Sequence, residues 1–292
     1  MSDSFLKYLQ FQKRYSSLTI LSYQTDLHQF QLYLNQDYDQ LPSQEANHGI
    51  IRSWIVKLVE DGLDPVSVNR KIACLRSYFK FLSKQEVVAK DPTTKIKILK
   101  TKKKLPHFVQ ENEMAKTLDQ DITEETEFDK QRNRLVLELL YGTGMRMSEL
   151  IGLKNASINI QDRTLKVLGK RNKERVIPFT ARLSAYIKEY LKVRNRDVEK
   201  KSDHLLVIKN GLPLYPVMVN RIVKKYLHNA NVDKKSPHVL RHTYATHLLN
   251  RGAEINAVKD LLGHSSLAAT QVYTHNSMEK LKKVFDQAHP KA

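Results

Sequence analysis

Ser236-Pro-His-Val-Leu-Arg-His242 is the stretch from which the rest of the chain can be read. Serine suits the residue just before a helix, proline suits the first helical position, and His238 then falls in the first turn. Arg241 stands three residues on, so the imidazole and the guanidinium share one helical face. Free backbone N–H groups and the positive end of the helix dipole favour an anion at such a start. Working outward, residues 133–141 read as an apolar helix stopped by Gly142 and Gly144. Arg146 is thereby left just past a sharp bend and beside a new helix over 147–153. Residues 164–168 and 174–179 alternate as strands around a basic turn, which puts Lys170 at the lip of a hairpin. Residues 255–262 form a further helix that ends at Gly263, His264 follows, and Ser265 or Ser266 can cap a helix reaching Tyr273.

Up to about Glu86 the sequence is helical throughout. Ile51, Trp54, Ile55 and Leu58 fall at helical spacing, as do Ile72, Leu75, Phe79 and Leu82, with Asp61-Gly62 and Asp64-Pro65 as punctuation between them. Lys95, Lys97, Lys100, Lys102, Lys103 and Lys104 then crowd together in the manner of a solvated linker. The fold class expected is mainly α with a small β-hairpin: an all-helical domain over 1–94, a basic linker over 95–105, and an α+β domain over 106–292.

Composition narrows the partners. The 292 residues carry 49 Lys plus Arg against 31 Asp plus Glu, a formal charge of +18 that suits a polyanion, whose condensed counterions are released on binding. The single cysteine, Cys74, excludes an internal disulfide and fits a reducing compartment. The start, Met-Ser-Asp-Ser-Phe-Leu-Lys, lacks the layout of a signal peptide, and no long uncharged apolar run could span a bilayer. A cytoplasmic, nucleoid-associated protein is expected.

Arg146, Lys170, His238, Arg241, His264 and Tyr273 together supply what a metal-free transesterification at phosphorus requires. Two guanidiniums can clamp phosphate oxygens, lysine and histidine can move protons, and a tyrosine hydroxyl can attack. Each alone says little, since an isolated arginine is usually a solvated or salt-bridged surface residue and Tyr273 is one of 13 tyrosines. Two bland readings stand beside the chemical one. His238 with His242, or His242 with His247, has the spacing of a metal-ligand pair, although no cysteine or well-spaced carboxylate completes a site. The 238–273 region could also be a helix-turn-helix reader without chemistry.

Order and flanking residues add a further argument. The series Thr-Gly-Met-Arg146, Gly-Lys170, His238-Val-Leu-Arg241, Leu-Gly-His264 and Gln-Val-Tyr273 resembles the tyrosine recombinase (phage integrase) family, and most closely its Xer-type branch. The stretch from Ser67 to Leu82 likewise resembles the end of the SAM-like core-binding domain of such proteins. The resemblance implies a linker that lets two domains close round double-stranded DNA. It also implies an enzyme in which Arg146, Arg241 and His264 hold the scissile phosphate while Tyr273 becomes joined to a 3′ phosphate. His238 would help accept the tyrosine proton, Lys170 would protonate the departing 5′ oxygen, and Glu149 would orient Arg146. No cofactor or metal is implied. Arg171 stands where relatives commonly have glycine, and Asn172, which tolerates positive φ, can carry that turn instead.

If residues 266–273 form one helix, Tyr273 lies roughly 12 Å along the axis from His264 at about 1.5 Å per residue, so spacing alone does not bring the two together. Their convergence is an implication of the resemblance. The tail from about 277 to 292, ending His-Pro-Lys-Ala, has Leu281, Val284 and Phe285 on one side. It reads either as a helix packed on its own domain or, as in Xer-type relatives, as a segment docked on the next protomer of a tetramer. The function expected is site-specific recombination that resolves chromosome or plasmid dimers. The alternatives are a mobile-element integrase, a type IB topoisomerase, or a DNA-binding regulator with a dead site.

Overall fold

The computed structural model describes residues 1–101, 107–120, 126–169, 174–263, 284–285 and 287–290. The chain divides into two compact units, Met1–Lys104 and Leu105–Ala292.

The first unit is helical. Helix α1 (Ser2–Lys7) passes directly into a π-helical segment, Tyr8–Gln12, and is followed by α2 (Ser17–Asp37), α3 (His48–Glu60) and α4 (Pro65–Lys84). Side chains cap the last three helices. Ser16, Asn47 and Asp64 accept from the N–H groups of Thr19, Ile50 and Val66, and Pro65 opens α4 at the position where a missing N–H costs nothing. The expected stripes at 51, 54, 55, 58 and at 72, 75, 79, 82 point inward and pack with Phe5, Phe30 and Leu34. One buried ion pair crosses this core: Asp26 accepts from Lys71 at 2.8 Å and from Arg70, and Gln29 also takes a bond from Lys71. Beyond α4 the lysines at 95, 97 and 100 are exposed, yet the residues between them are anchored. Ile96 is buried, and Asn69 brackets the backbone of Leu99 with bonds of 2.8 and 2.9 Å.

The second unit is built round α6 (Glu127–Thr143), preceded by α5 (Glu111–Asp119). Residues from Leu135 to Thr143 are buried in succession, as a central helix must be when neighbours cover it on all sides. Those neighbours include α8 (Ala181–Asp197), α9 (Pro216–Tyr226) and α10 (Pro237–Asn250). The helix runs further than its sequence suggests in both directions. It starts at Glu127 and continues through Gly142, whose missing Cβ would meet nothing closer than 3.8 Å, and stops only where Gly144 turns left-handed at φ 60°. Helix α7 (Met147–Ile151) follows, shorter than expected because Gly152 caps it.

A three-stranded antiparallel sheet comes next, in the order β1 (Ile158–Asn159), β2 (Thr164–Leu168), β3 (Glu174–Pro178). The short β1 is not legible as alternation, and Phe179 lies just outside β3. In the β2–β3 register Leu165 faces Ile177 and Val167 faces Arg175. Those four residues are the buried face of the two strands, so the alternation carries a guanidinium into the core. Helix α11 (Ile255–Leu262) has the limits expected of it and ends on Gly263 at φ 63°.

Of the tail, Phe285, Ala288 and His289 are buried within this unit. The His289 Nε2–H donates to the Gly142 carbonyl at 3.1 Å, and its ring lies against Phe285, Tyr244 and Tyr141. In the single chain these three residues therefore pack on their own unit.

Candidate active site

Arg146 is the N-cap of α7, and Glu149 closes the turn beneath it. The Glu149 carboxylate accepts from the Arg146 backbone N–H at 2.7 Å through Oε2 and from its guanidinium at 2.8 Å through Oε1. A helix start attracts a carboxylate in any case, and here the same carboxylate fixes the side chain that precedes it. The remaining Nη2 of Arg146 donates to the Gly263 carbonyl at 3.0 Å.

Helix α10 begins as its sequence suggests, with Ser236 as the N-cap and Pro237 first, although the Ser236 hydroxyl makes no capping bond. His238 is exposed in the first turn and Arg241 is buried one turn on. Arg241 donates to the Gly144 carbonyl at 2.6 Å and to the Leu262 carbonyl at 2.7 Å. Burial, and then the neighbouring charges of Arg146 and Arg175, lower its pKa to about 10, so it stays charged at neutral pH.

A third guanidinium completes the cluster. Arg175 of β3, 5% exposed, makes a two-pronged pair with Glu149 at 2.6 and 2.8 Å, and its Nε donates to the Leu261 carbonyl at 3.1 Å. Burial pushes the Glu149 carboxyl up, but Arg175 and Arg146 outweigh it and hold the group below the ordinary carboxylate range. Arg146, Arg175 and Arg241 thus each bind a carbonyl at the end of α11, where the helix dipole is negative. Three positive charges surround one carboxylate, and the site is left net cationic. Arg146 is the most accessible of the three, with its side chain 22% exposed.

Of the six residues singled out from the sequence, the structure thus places Arg146 and Arg241 together and His238 on the exposed face of the helix that carries Arg241. Lys170, His264 and Tyr273 lie outside the described residues, as does the expected helix over 266–273. Arg175 is the member that the sequence reading passed over, because it sits in a basic stretch that looks like an exposed turn. Its parity was the available signal: 175, 177 and 179 share one side of the strand, so a charge there travels inward with Ile177 and Phe179.

The bland readings of the histidines fare differently. The His247 Nε2–H donates to the Val109 carbonyl at 2.9 Å, since a carbonyl can only accept, and Nδ1 accepts from the Tyr141 hydroxyl at 2.9 Å. Both ring nitrogens are therefore committed to structure, which removes the His242–His247 metal pair. Among the described residues no group of three His, Cys, Asp or Glu is placed to hold a metal ion, and no helix is long and apolar enough to cross a membrane.

Burial, with Arg251 nearby, lowers the His247 pKa against the opposing pull of Glu111 and the Val109 bond, and burial lowers that of His242 too. A base whose folded pKa is depressed destabilises the fold in acid, because the unfolded chain takes the proton first. The melting temperature should therefore fall as pH drops below about 6.5, the unfolded histidine value. His247→Gln, which retains a donor for Val109, should flatten that fall; an unchanged slope would exclude His247 as its source.

Residues 107–280 match the phage integrase family, and residues 3–86 match the phage integrase N-terminal SAM-like domain. The chain is 39% identical over 297 residues to the tyrosine recombinase XerC of Staphylococcus carnosus, covering 100% of this chain and 98% of that one. It is 36% identical over 294 residues to the tyrosine recombinase XerD of Staphylococcus haemolyticus, covering 99% and 98%. In fold it matches the crystal structure of the XerH site-specific recombinase bound to palindromic difH substrate in a post-cleavage complex. The TM-score is 0.74 at 22% identity, over 97% of this chain and 83% of that one. With both units matched and its full length aligned to such relatives, the chain belongs to the phage integrase family of tyrosine recombinases, in its Xer-type branch.

Proposed function

We propose that the protein is a site-specific DNA recombinase that cleaves and rejoins strands of double-stranded DNA through a covalent 3′-phosphotyrosyl intermediate. The observation that carries this reading is the cationic cluster: Arg146 and Arg241 are fixed by Glu149 and by backbone carbonyls, and their charge is not cancelled. Fixed guanidiniums stabilise charge that grows on phosphate oxygens without reorganising at the moment of reaction.

In the proposed cycle Arg146, Arg241 and His264 hold the scissile phosphate. The Tyr273 oxygen forms a bond to phosphorus as the bond to the 5′ oxygen breaks. The phenol proton leaves toward His238, and Lys170 gives a proton to the 5′ oxygen. A free phenol has a pKa of about 10, so this assistance is needed at neutral pH. The phosphotyrosyl bond conserves the energy of the phosphodiester, and a 5′ hydroxyl from a second duplex reverses the step to exchange strands.

The domain assignments follow the same reading: 1–94 as the core-binding domain, 95–105 as a basic linker, 106–292 as the catalytic domain. The tail from about 277 exchanges between protomers of a homo- or hetero-tetramer on synapsed DNA. The pocket that receives Phe285 and His289 within the chain is present on every copy, so it can receive a neighbour's tail by the same contacts. Resolution of chromosome or plasmid dimers fits relatives named XerC and XerD, and the proposed place of the reaction is the cytoplasm, on the nucleoid.

The test is a denaturing gel of protein incubated with nicked suicide duplexes drawn from a genomic library. A covalent adduct is expected, together with its complete loss in Tyr273→Phe. An adduct that survives that change would overturn the assignment of the nucleophile, and specific binding without any adduct would favour a regulator. The captured sequences decide between dimer resolution and element integration.

A further inference from the structure

The recombinase reading assigns no role to Arg175, yet this residue is the most deeply committed cation of the site. It is almost fully buried, all three of its nitrogens are engaged, and its partners come from two elements distant in sequence: Glu149 of α7 and the Leu261 carbonyl of α11. Among the described residues the side-chain partners of Glu149 are Arg146 and Arg175, and both prongs of Arg175 fall on the carboxylate oxygens that also hold Arg146. The packing round it is closed as well. A Cβ at Gly263 would stand 2.9 Å from the Arg175 Cδ, so the chain just before His264 is shaped against this side chain.

We infer that Arg175 is a positioning residue for cleavage: it sets Glu149, through Glu149 it sets Arg146, and through the end of α11 it sets the backbone that leads to His264. The inference rests on the recombinase reading above. Arg175 is not offered as a phosphate ligand, because it is buried and each of its three nitrogens already donates inside the protein. One buried side chain thereby joins β3, the turn that bears Arg146 and the end of α11, and a guanidinium is required because an ammonium cannot present two parallel N–H groups to a carboxylate.

A residue that acts by positioning should change the rate of the bound complex and leave affinity alone. The experiment measures three quantities for the full chain: single-turnover adduct formation on a nicked duplex at saturating protein, the dissociation constant for intact site DNA, and the melting temperature. Arg175→Met is expected to cleave about 100-fold more slowly, and Arg175→Lys about 10-fold more slowly because it restores charge without the fork, both with Kd within about twofold of wild type. Adding Arg175→Met to Glu149→Gln should slow cleavage by clearly less than the product of the two single losses, as expected for two residues that share one hydrogen-bonded path.

Wild-type rates in folded Arg175→Lys and Arg175→Met would overturn the inference. So would a loss that appears in Kd instead of rate, or losses at 175 and 149 that simply add. Should Arg175→Met fail to fold, Arg175→Lys and its own cycle with Glu149→Gln decide. A wild-type protein that forms no adduct on any site overturns the recombinase reading itself. A wild-type adduct with unaffected variants overturns only the role of Arg175.

Discussion

Gly144→Ala should lower the melting temperature by about 10 °C or more and remove cleavage at ordinary temperatures. Gly144 ends α6 at φ 60°, where an L side chain costs about 1 kcal/mol. Space is the larger obstacle. A Cβ there would fall 2.3 and 2.7 Å from two carbons of the Tyr244 ring and 3.0 Å from the Leu262 Cδ2, and Tyr244 is fully buried with no room to turn. Overpacking of this kind costs about 1–3 kcal/mol in well-packed interiors, so the total approaches 4 kcal/mol, a large part of a typical domain's stability. The shift also reaches the site, because the Gly144 carbonyl accepts from Arg241 and Leu262 supplies the other carbonyl on that guanidinium. Thermal unfolding followed by circular dichroism measures the effect. Tyr244→Leu in the same chain should recover part of it by opening the space, and a Gly144→Ala protein of wild-type stability would show that the bend can move.

Glu149→Gln should cost about 3 kcal/mol of stability and slow cleavage about 10³-fold with little change in DNA affinity. The substitution keeps the size of the side chain and removes the carboxylate that Arg146 and Arg175 share, leaving buried cations facing one another. The matching pH dependence has a definite sign. Because Arg175 and Arg146 hold the folded carboxyl below its ordinary value, the stabilisation is full above the unfolded value of about 4.3 and is lost as pH falls through the folded one. Acid unfolding monitored from pH 6 to 2 should therefore be shallower below about pH 4 in Glu149→Gln than in wild type. Equal acid profiles would mean that Glu149 is not held by its arginines.

What could be read from the chain and what could not divides along physical lines. The start of α10 was legible because Ser236 and Pro237 carry positional preferences that belong to the backbone itself. The end of α11 was legible because Gly263 takes the left-handed conformation that glycine favours. Gly142 misled for the same reason in reverse: glycine permits a stop without requiring one, and tertiary packing carried α6 through it. The two-residue β1 has too few positions for alternation to register. The basic run after α4 looked uniformly solvated, yet every third residue or so packs, since Ile96 and Leu99 alternate with exposed lysines. In the site, Arg146 and Arg241 were legible through their motifs, whereas Arg175 was hidden in a basic string that looks like an exposed turn, and its parity with Ile177 was the one signal that it faces inward.

The carbonyls of Leu261, Leu262 and Gly263 each answer to a different arginine, and those arginines come from a loop before α7, a strand and a helix that are far apart in the chain. This bears on how such a protein can be recombined with its own relatives in the laboratory. A hairpin transplanted from another family member will fit by loop length and still fail unless its second strand brings a guanidinium at the register of 175 and the recipient keeps an acidic group at 149. The parts of this catalytic unit are not exchangeable one at a time. A successful chimaera has to move the strand, the turn before α7 and the end of α11 as a single inherited set.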